Sequence, residues 1–258
     1  MTARTGPGQP PKTLFLACDL QEPGAEAAAR AALRHLSAHD QERVARLHRS
    51  ADRTRSVLAR QLALQAAGRL LGVPWTALRL GRHHHGRPYV PTHPRLSLSM
   101  AHSGRYAVAA VALGARVGVD VEEIARVSAL PDSAFLTPAE IASLPSPAGG
   151  AAEHRAALWV LKEAATKMTG EGMRAGMKRV GFRREGTHAP FTAETPYTVG
   201  EFTACRLPGG YVYAMGLSAG APPATPTLLA VDIASPTTAQ RAEHDPDEAE
   251  PHIWLSVN

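Results

Sequence analysis

The chain has 258 residues, 44% of them hydrophobic, a formal net charge of +5 and two cysteines. That length suits one large domain or two small ones with ample room for a core. The composition argues against a membrane span, which needs an apolar run of roughly 20 residues, and against a disulfide framework or a cysteine metal motif. A reduced, cytoplasmic setting is expected, and the positive charge calls for an acidic partner: nucleic acid, an anionic cofactor or an acidic protein.

Residues 1–12 are polar, rich in Pro and Gly and without an apolar signal-peptide core, so a disordered N-terminus is expected. Thr13–Asp19 reads as a buried strand. The Ala-rich stretch Gly24–Leu36 reads as a helix, followed by a break with capping residues at Ser37–Asp40. Gln41–Leu71 reads as two helices with a core stripe of Leu47, Val57, Leu58, Leu62 and Leu64. It also carries Arg43, Arg46, Arg49, Arg53, Arg55, Arg60 and Arg69, most of them read as a solvated basic face. Gly72-Val73-Pro74 ends the second helix, and Leu78–Leu80 is a short strand. In the loop Gly81–Tyr89 lie His83, His84 and His85. Neighbours on one loop cannot easily all ligate one ion, so a solvated loop is the reading there.

Arg95–Ser99 and Tyr106–Leu113 are strands flanking a turn at His102-Ser103-Gly104. The segment Gly118-Val119-Asp120-Val121-Glu122 follows as another strand. Residues two apart on a strand share a face. Val119 and Val121 can therefore enter a core while Asp120 and Glu122 stay together on the other side. Thr137, Pro138 and Glu140 form the signature of a capping box with Pro at the first helical position; that helix should stop near Pro145. Glu153–Thr169 is a long helix closed by glycine. Its Trp159, Glu163 and Lys167 are four apart and lie along one stripe. If this helix crosses the Asp-Val-Glu strand, three carboxylates and an ammonium converge, a cluster suited to Mg²⁺ shared with substrate phosphates. Taken singly, a strand Asp-x-Glu is commonly a solvated face, and Glu163 with Lys167 an ordinary helix pair. Arg179–Arg183, Tyr197–Cys205 and Tyr211–Leu217 are strands, the last two a hairpin across Pro208-Gly209-Gly210, and Thr227–Ile233 is a final strand. Residues 235–258 turn to Pro, Asp, Glu and His and are expected to be a disordered tail.

Three stretches in this order form a pattern. They are Ala101-His102-Ser103, Gly118-Val119-Asp120-Val121-Glu122 and Trp159-Val160-Leu161-Lys162-Glu163-Ala164-Ala165-Thr166-Lys167. Together they resemble the 4′-phosphopantetheinyl transferases of the larger, Sfp type, whose pattern is Ser-His-Ser, G-[IV]-D-[IV]-E and W-x-x-K-E-[AS]-x-x-K. The one departure is Ala101, where the family usually has Ser. A further resemblance is Gly86-Arg87-Pro88 to the family's G-[KR]-P segment.

The resemblance implies an α+β fold of two pseudo-symmetric halves with the active site at their interface, here residues 13–113 and 114–234. It implies transfer of 4′-phosphopantetheine from coenzyme A to a serine of an apo acyl or peptidyl carrier protein, with Mg²⁺. By position, Asp120, Glu122 and Glu163 would hold the metal, and Glu163 and Lys167 would be catalytic. Arg46, Arg49, Arg53, Arg87, His102, Ser103, Lys162 and Lys167 would bind the coenzyme A co-substrate. The missing hydroxyl at Ala101 would weaken cofactor binding by roughly 1 kcal/mol, the scale of one hydrogen bond. A monomer acting on no nucleic acid and no membrane is expected.

Two other readings remain at this point. One is a different Mg²⁺-dependent enzyme acting on phosphates. The other is a basic nucleic-acid-binding protein using the Gln41–Leu71 helices. The latter needs a contiguous basic face, whereas these arginines are mixed with leucines and interrupted by Glu42 and Asp52.

Overall fold

A computed structural model describes residues 12–84, 86–170, 176–184, 191–194, 200–218 and 229–230. The N-terminal segment before Lys12, His85 and the tail 235–258 lie outside the described residues.

The first half opens with strand β1 (Lys12–Asp19) and helices α1 (Ala25–Leu33), α2 (Ala38–Ala45) and α3 (Ser50–Leu71). Ser37 caps α2 by accepting from the Asp40 N–H, so the expected break is the start of a helix. A left-handed Gly72 closes α3, because a residue with a Cβ is strained in that conformation. From Ser56 to Gly68 α3 is buried on every face rather than along a stripe, as expected of a helix lying under a sheet and beneath other helices. Leu78 and Leu80 are buried anchors, but they form no strand; a 3₁₀ turn (Trp75–Ala77) precedes them. The short hairpin β2 (Gly81–Arg82) and β3 (Pro88–Tyr89) follows, with His83 stacked on Tyr89 at 4.4 Å between ring centroids. Strands β4 (Leu96–Ser103) and β5 (Tyr106–Leu113) complete the half.

The second half begins with β6 (Val117–Glu123) and the short helices α4 (Ile124–Ser128), α5 (Asp132–Phe135) and α6 (Pro138–Ala142). Both bonds of the capping box between Thr137 and Glu140 are present at α6. The long helix α7 (Ala151–Thr169) is followed by β7 (Gly181–Arg184), β8 (Phe191–Glu194), β9 (Gly200–Leu207) and β10 (Tyr211–Ser218). The two-residue strand β11 (Leu229–Ala230) pairs parallel with β1.

Among the described residues the strands form one sheet in the order β11-β1-β5-β4 and another in the order β6-β10-β9-β8-β7, besides the β2–β3 hairpin. Helix α3 covers the first sheet and α7 the second, giving the α+β halves a parallel construction. Alternation along the strands sorts the core into layers. Ala107, Ala109 and Val111 of β5 face the α1–α3 side with Leu14, Leu16, Leu58 and Leu62. Tyr106, Val108, Ala110 and Ala112 face the other sheet, against Val117, Val119, Val121, Tyr213 and Met215. Leu158, Leu161, Ala165 and Met168 of α7 lie in the core of the second half with Phe182, Phe202 and Val212.

The edge strands β4 and β6 meet at a seam between the two sheets. The Ser97 hydroxyl accepts from the Val117 N–H at 3.0 Å and the Ser99 hydroxyl from the Val119 N–H at 3.1 Å. These side chains stand in for a strand ladder, satisfying edge amides that would otherwise be buried without partners. Ala101 continues the same face and packs, buried, in the layer between the sheets. A hydroxyl at that position would face the layer between the sheets.

Gly118 sets how closely α7 approaches β6. A Cβ there would collide with the Ala164 carbonyl oxygen and stand 2.8 Å from the Met168 nitrogen. Gly118→Ala is therefore expected to destabilise the protein by about 1–3 kcal/mol, the scale of overpacking, and to lower Tm by several degrees. Unchanged thermal unfolding would mean that the helix and strand are not held this close.

Candidate functional site

Strand β6 divides its side chains as its alternation requires. Val119 and Val121 are buried between the sheets, while Asp120 and Glu122 face α7. From α7, Lys167 reaches Asp120, with Nζ 2.6 Å from Oδ1. Glu163, one turn earlier, is half-buried. Its pKa is raised, first by loss of water and then by the charges of Asp120 and Glu122, with Lys167 opposing. Burial likewise pushes Asp120 up, with Lys167 opposing and Glu122 adding to the rise. The expected convergence of three carboxylates and one ammonium is thus present.

The carboxylates are turned to their own partners. Ser103 of β4 donates to Glu122 Oε1, which also accepts from the Glu123 N–H at 3.0 Å, and Arg126 lies 3.6 Å from Oε2. Among the described residues no three Asp, Glu, His or Cys side chains form a ready-made metal cage. The donor chemistry nevertheless fits Mg²⁺, a hard cation bound by one or two carboxylates plus substrate phosphates rather than by an all-protein cage. Mutual repulsion among the three carboxylates, only partly offset by Lys167, is the imbalance that a cation would relieve.

His102 lies one position before Ser103 and so on the opposite face of β4, toward α3. Its imidazole is exposed by area yet crowded by neighbouring protein. Desolvation first, then the cations Arg55, Lys167 and Arg60, hold its pKa below the ordinary value, against the opposing charge of Asp52. Arg55 donates to the Gly104 carbonyl at 2.6 Å and pairs with Asp52. Its charge acts on His102, and the sequence reading passed over it. The signal was available, since Arg55 shares the α3 stripe of Leu58 and Leu62 at spacings of three and seven.

Other expected cofactor residues are placed elsewhere. Lys162 is fully buried; its Nζ lies 2.8 Å from Glu140 and donates to the Val180 carbonyl at 2.6 Å and the Met177 carbonyl at 3.1 Å. Its role as a cofactor ligand is corrected to that of a core ion pair, because it lies on the face of α7 opposite the cleft. Arg53 braces the α2–α3 connection by donating to the Leu47 and His48 carbonyls at 2.7 and 3.0 Å. Arg46 and Arg49 are exposed at the end of α2 and the start of α3. None of the three is among the groups whose charge acts on His102. Arg87 is bonded to the Met168 carbonyl and the Ser97 hydroxyl at 2.8 and 2.9 Å. Trp159 packs edge-on against Phe135, with ring centroids 5.3 Å apart, on the core side.

The model of the family described as "4′-phosphopantetheinyl transferase, N-terminal" matches residues 23–113. That of the "4′-phosphopantetheinyl transferase superfamily" matches residues 116–215, so the two matches meet at the turn between β5 and β6. Both matching models thus carry 4′-phosphopantetheinyl transferase descriptions, each over less than half of the chain. A 4′-phosphopantetheinyl transferase of Bacillus subtilis is 27% identical over 139 residues, which are 54% of this chain and 62% of that relative. Among solved structures, the holo-[acyl-carrier-protein] synthase of Thermotoga maritima aligns with a TM-score of 0.33 at 19% identity, covering 40% of this chain and 62% of that one. None of the helices described is long and apolar enough to cross a membrane.

Two tests follow from the charges. Lys162→Ala would leave Glu140 buried and unpaired by any cation, and should lower stability to denaturant by about 3–5 kcal/mol; a loss under about 1 kcal/mol would show that Glu140 is well satisfied by the Thr137 and Phe182 amides. Glu163 and Asp120 bind protons more tightly folded than unfolded. Their ionisation therefore weakens the metal-free fold above their folded pKa values, and the penalty is relieved as pH falls through them. Glu163→Gln should accordingly raise the Tm of the metal-free protein at neutral pH, by a margin that shrinks on acidification. A lower Tm at neutral pH would rule out repulsion as the dominant effect.

Proposed function

We propose that the protein transfers the 4′-phosphopantetheine group of coenzyme A to a serine hydroxyl of an apo acyl or peptidyl carrier protein, as an Sfp-type transferase acting as a monomer. The observation that supports this most is the meeting of Asp120, Glu122, Glu163 and Lys167 with Ser103 at the junction of the two halves. The proposal also draws on the two family-model matches. The relative from Bacillus subtilis carries the transferase name.

In the proposed reaction the serine oxygen forms a bond to the β-phosphorus of coenzyme A, and the pyrophosphate P–O bond breaks. Adenosine 3′,5′-bisphosphate leaves, and the serine proton passes to a base. Asp120, Glu122 and Glu163 would hold Mg²⁺, which when bound supplies positive charge to the pyrophosphate oxygens. Glu163, directly or through a water, takes the serine proton. Lys167 would offset charge growing on the leaving phosphate. His102, from the α3 side, would bind the co-substrate's phosphates, with the positive charge of Arg55 beside it.

The deciding experiment incubates the protein with coenzyme A, Mg²⁺ and an apo carrier protein and reads the carrier by mass spectrometry. One phosphopantetheine on the carrier serine is expected, dependent on the metal. Asp120→Ala should abolish it without unfolding the protein. Activity of that variant within about tenfold of wild type, roughly 1.4 kcal/mol in barrier, would remove Asp120 from the metal site. Consumption of coenzyme A with no modified carrier would favour the phosphohydrolase reading instead.

A further inference from the structure

The turn from β4 to β5 consists of Gly104 and Arg105, directly after His102 and Ser103. Gly104 has a φ of 49° and is the first central residue of a two-residue hairpin turn, where positive φ calls for glycine. Exposed turns of this kind are ordinarily mobile. Here three backbone groups of the turn are held, each by a different element. The Gly104 carbonyl accepts from Arg55 of α3 at 2.6 Å. The Arg105 N–H donates to the Tyr211 hydroxyl of β10 at 3.4 Å. The Arg105 carbonyl accepts from the Leu20 N–H, just past β1, at 2.7 Å.

The Arg105 side chain adds a fourth tie. Its Nε donates to Asp19 Oδ1 at 2.9 Å and its Nη2 to Oδ2, the two-bond geometry that suits arginine and carboxylate. Burial alone would raise the pKa of Asp19; the bonds from Arg105 and the Gln21 N–H outweigh it and hold the carboxyl below its ordinary value. The guanidinium also lies 5.3 Å from the centroid of the Tyr106 ring. Tyr106 donates to the Pro208 carbonyl in the β9–β10 turn at 3.2 Å and packs edge-on against Tyr211, with ring centroids 5.1 Å apart. The fit is close on both sides. A Cβ at Gly104 would collide with the Tyr211 hydroxyl, and one at Gly209 would stand 2.9 Å from Arg105 Nη1. Arg105 therefore sits where the end of β1, the β4–β5 turn and the β9–β10 turn close on one another.

Two contacts connect this junction to the carboxylates. Ser103, the residue before the turn, donates to Glu122 Oε1. Tyr211 stands opposite Glu123 in the β6–β10 register, and the Glu123 N–H donates to the same Glu122 oxygen at 3.0 Å. Tilting the turn moves the Ser103 hydroxyl relative to that carboxylate. The Asp19 and Arg105 side chains keep 15% and 28% of their surface exposed, and an ion pair open to water adds little to stability. We propose that the Asp19–Arg105 pair is a positioning device: it locks the β4–β5 turn against β1 and the β9–β10 turn, and so keeps the Ser103 hydroxyl on Glu122 and that carboxylate in one orientation. The proposal rests on the transferase reading for its effect on metal use and rate, but the lock itself is read without activity. Partners that orient a metal-binding carboxylate tune metal affinity. Their loss changes the chemical step more than the binding of a co-substrate.

The test compares wild type with Arg105→Gln, Arg105→Lys, Asp19→Asn and the Asp19→Asn/Arg105→Gln double variant. Three readouts are taken: thermal unfolding, amide hydrogen exchange over residues 103–106 and at Glu123, and kcat and KM for coenzyme A across a Mg²⁺ titration. For Arg105→Gln, Tm should stay within about 4 °C of wild type, while exchange at the turn and at Glu123 accelerates about tenfold. Half-maximal transfer should need about tenfold more Mg²⁺. At saturating Mg²⁺, kcat should fall about tenfold and KM for coenzyme A should stay within about threefold. Asp19→Asn should act in the same direction. Arg105→Lys, which keeps the charge but has one donor atom in place of a fork, should recover part of the loss. The double variant should be little worse than either single one, because the two residues act through one contact. Unchanged exchange at the turn or at Glu123 would overturn the proposal. So would a KM for coenzyme A raised about tenfold with kcat and the Mg²⁺ requirement unchanged, since Arg105 would then meet the co-substrate itself. If wild type modifies no carrier, the transferase reading fails by itself, and exchange with thermal unfolding still decides whether the pair locks the turn.

Discussion

Two edge strands from different sheets meet without a continuous ladder between them, and the site depends on how they are joined. The Ser97 and Ser99 hydroxyls accept the Val117 and Val119 amides, and two residues past Ala101 on the same face Ser103 donates to Glu122. A serine hydroxyl both accepts and donates, so one repeated residue type satisfies backbone amides at one end of the seam and a carboxylate at the other. Register matters here because a slip of one residue would exchange the valine and carboxylate faces of β6. Bonding at every second residue of β4 to every second amide of β6 opposes such a slip.

The second requirement is close approach. Gly118 lets α7 lie against β6 with no intervening side chain, which brings Lys167 within hydrogen-bond distance of Asp120. Closeness has a consequence for charge. Asp120 and Glu163 both hold their protons more tightly than exposed carboxylates, because desolvation and mutual repulsion outweigh a single ammonium. The fold therefore keeps its carboxylates together at some expense in stability, a pattern common where the arrangement serves chemistry rather than packing. The hydrophobic layers on either side hold them in place: Phe202, Val212 and Ala214 with α7 on one side, and Val119 and Val121 between the sheets on the other.

Lys162 and Lys167 show why spacing alone does not assign a role. Both lie in the motif and both are cations near the middle or end of α7. Five residues on a helix of 3.6 per turn are about 140° apart, so the two face different directions. Lys167 meets Asp120 in the cleft, and Lys162 meets Glu140 in the core. The arginines of α2 and α3 divide in the same way. Arg53 is tied to the backbone of the preceding turn, while Arg55, two residues on, reaches the Gly104 carbonyl beside His102.

Local pattern determined much of this protein. Alternation in Gly118–Glu122 separated valines from carboxylates, the four-residue spacing of Glu163 and Lys167 put them on one stripe, and Thr137-Pro138-x-Glu140 announced a helix start; each depends only on the period of the backbone and on neighbours within one turn. The site carboxylates were legible for that reason, while the α+β class was implied by the family resemblance. Tertiary structure alone decided the seam between β4 and β6, the inward direction of Ala101, the burial of Lys162 and the attachment of Arg87 to the end of α7. These join residues 20 to 81 positions apart or depend on which side of an element the other half covers. A basic side chain in a sequence shows its charge; whether that charge meets a carboxylate, a helix end or solvent is set by which surfaces exclude water once the two sheets have packed.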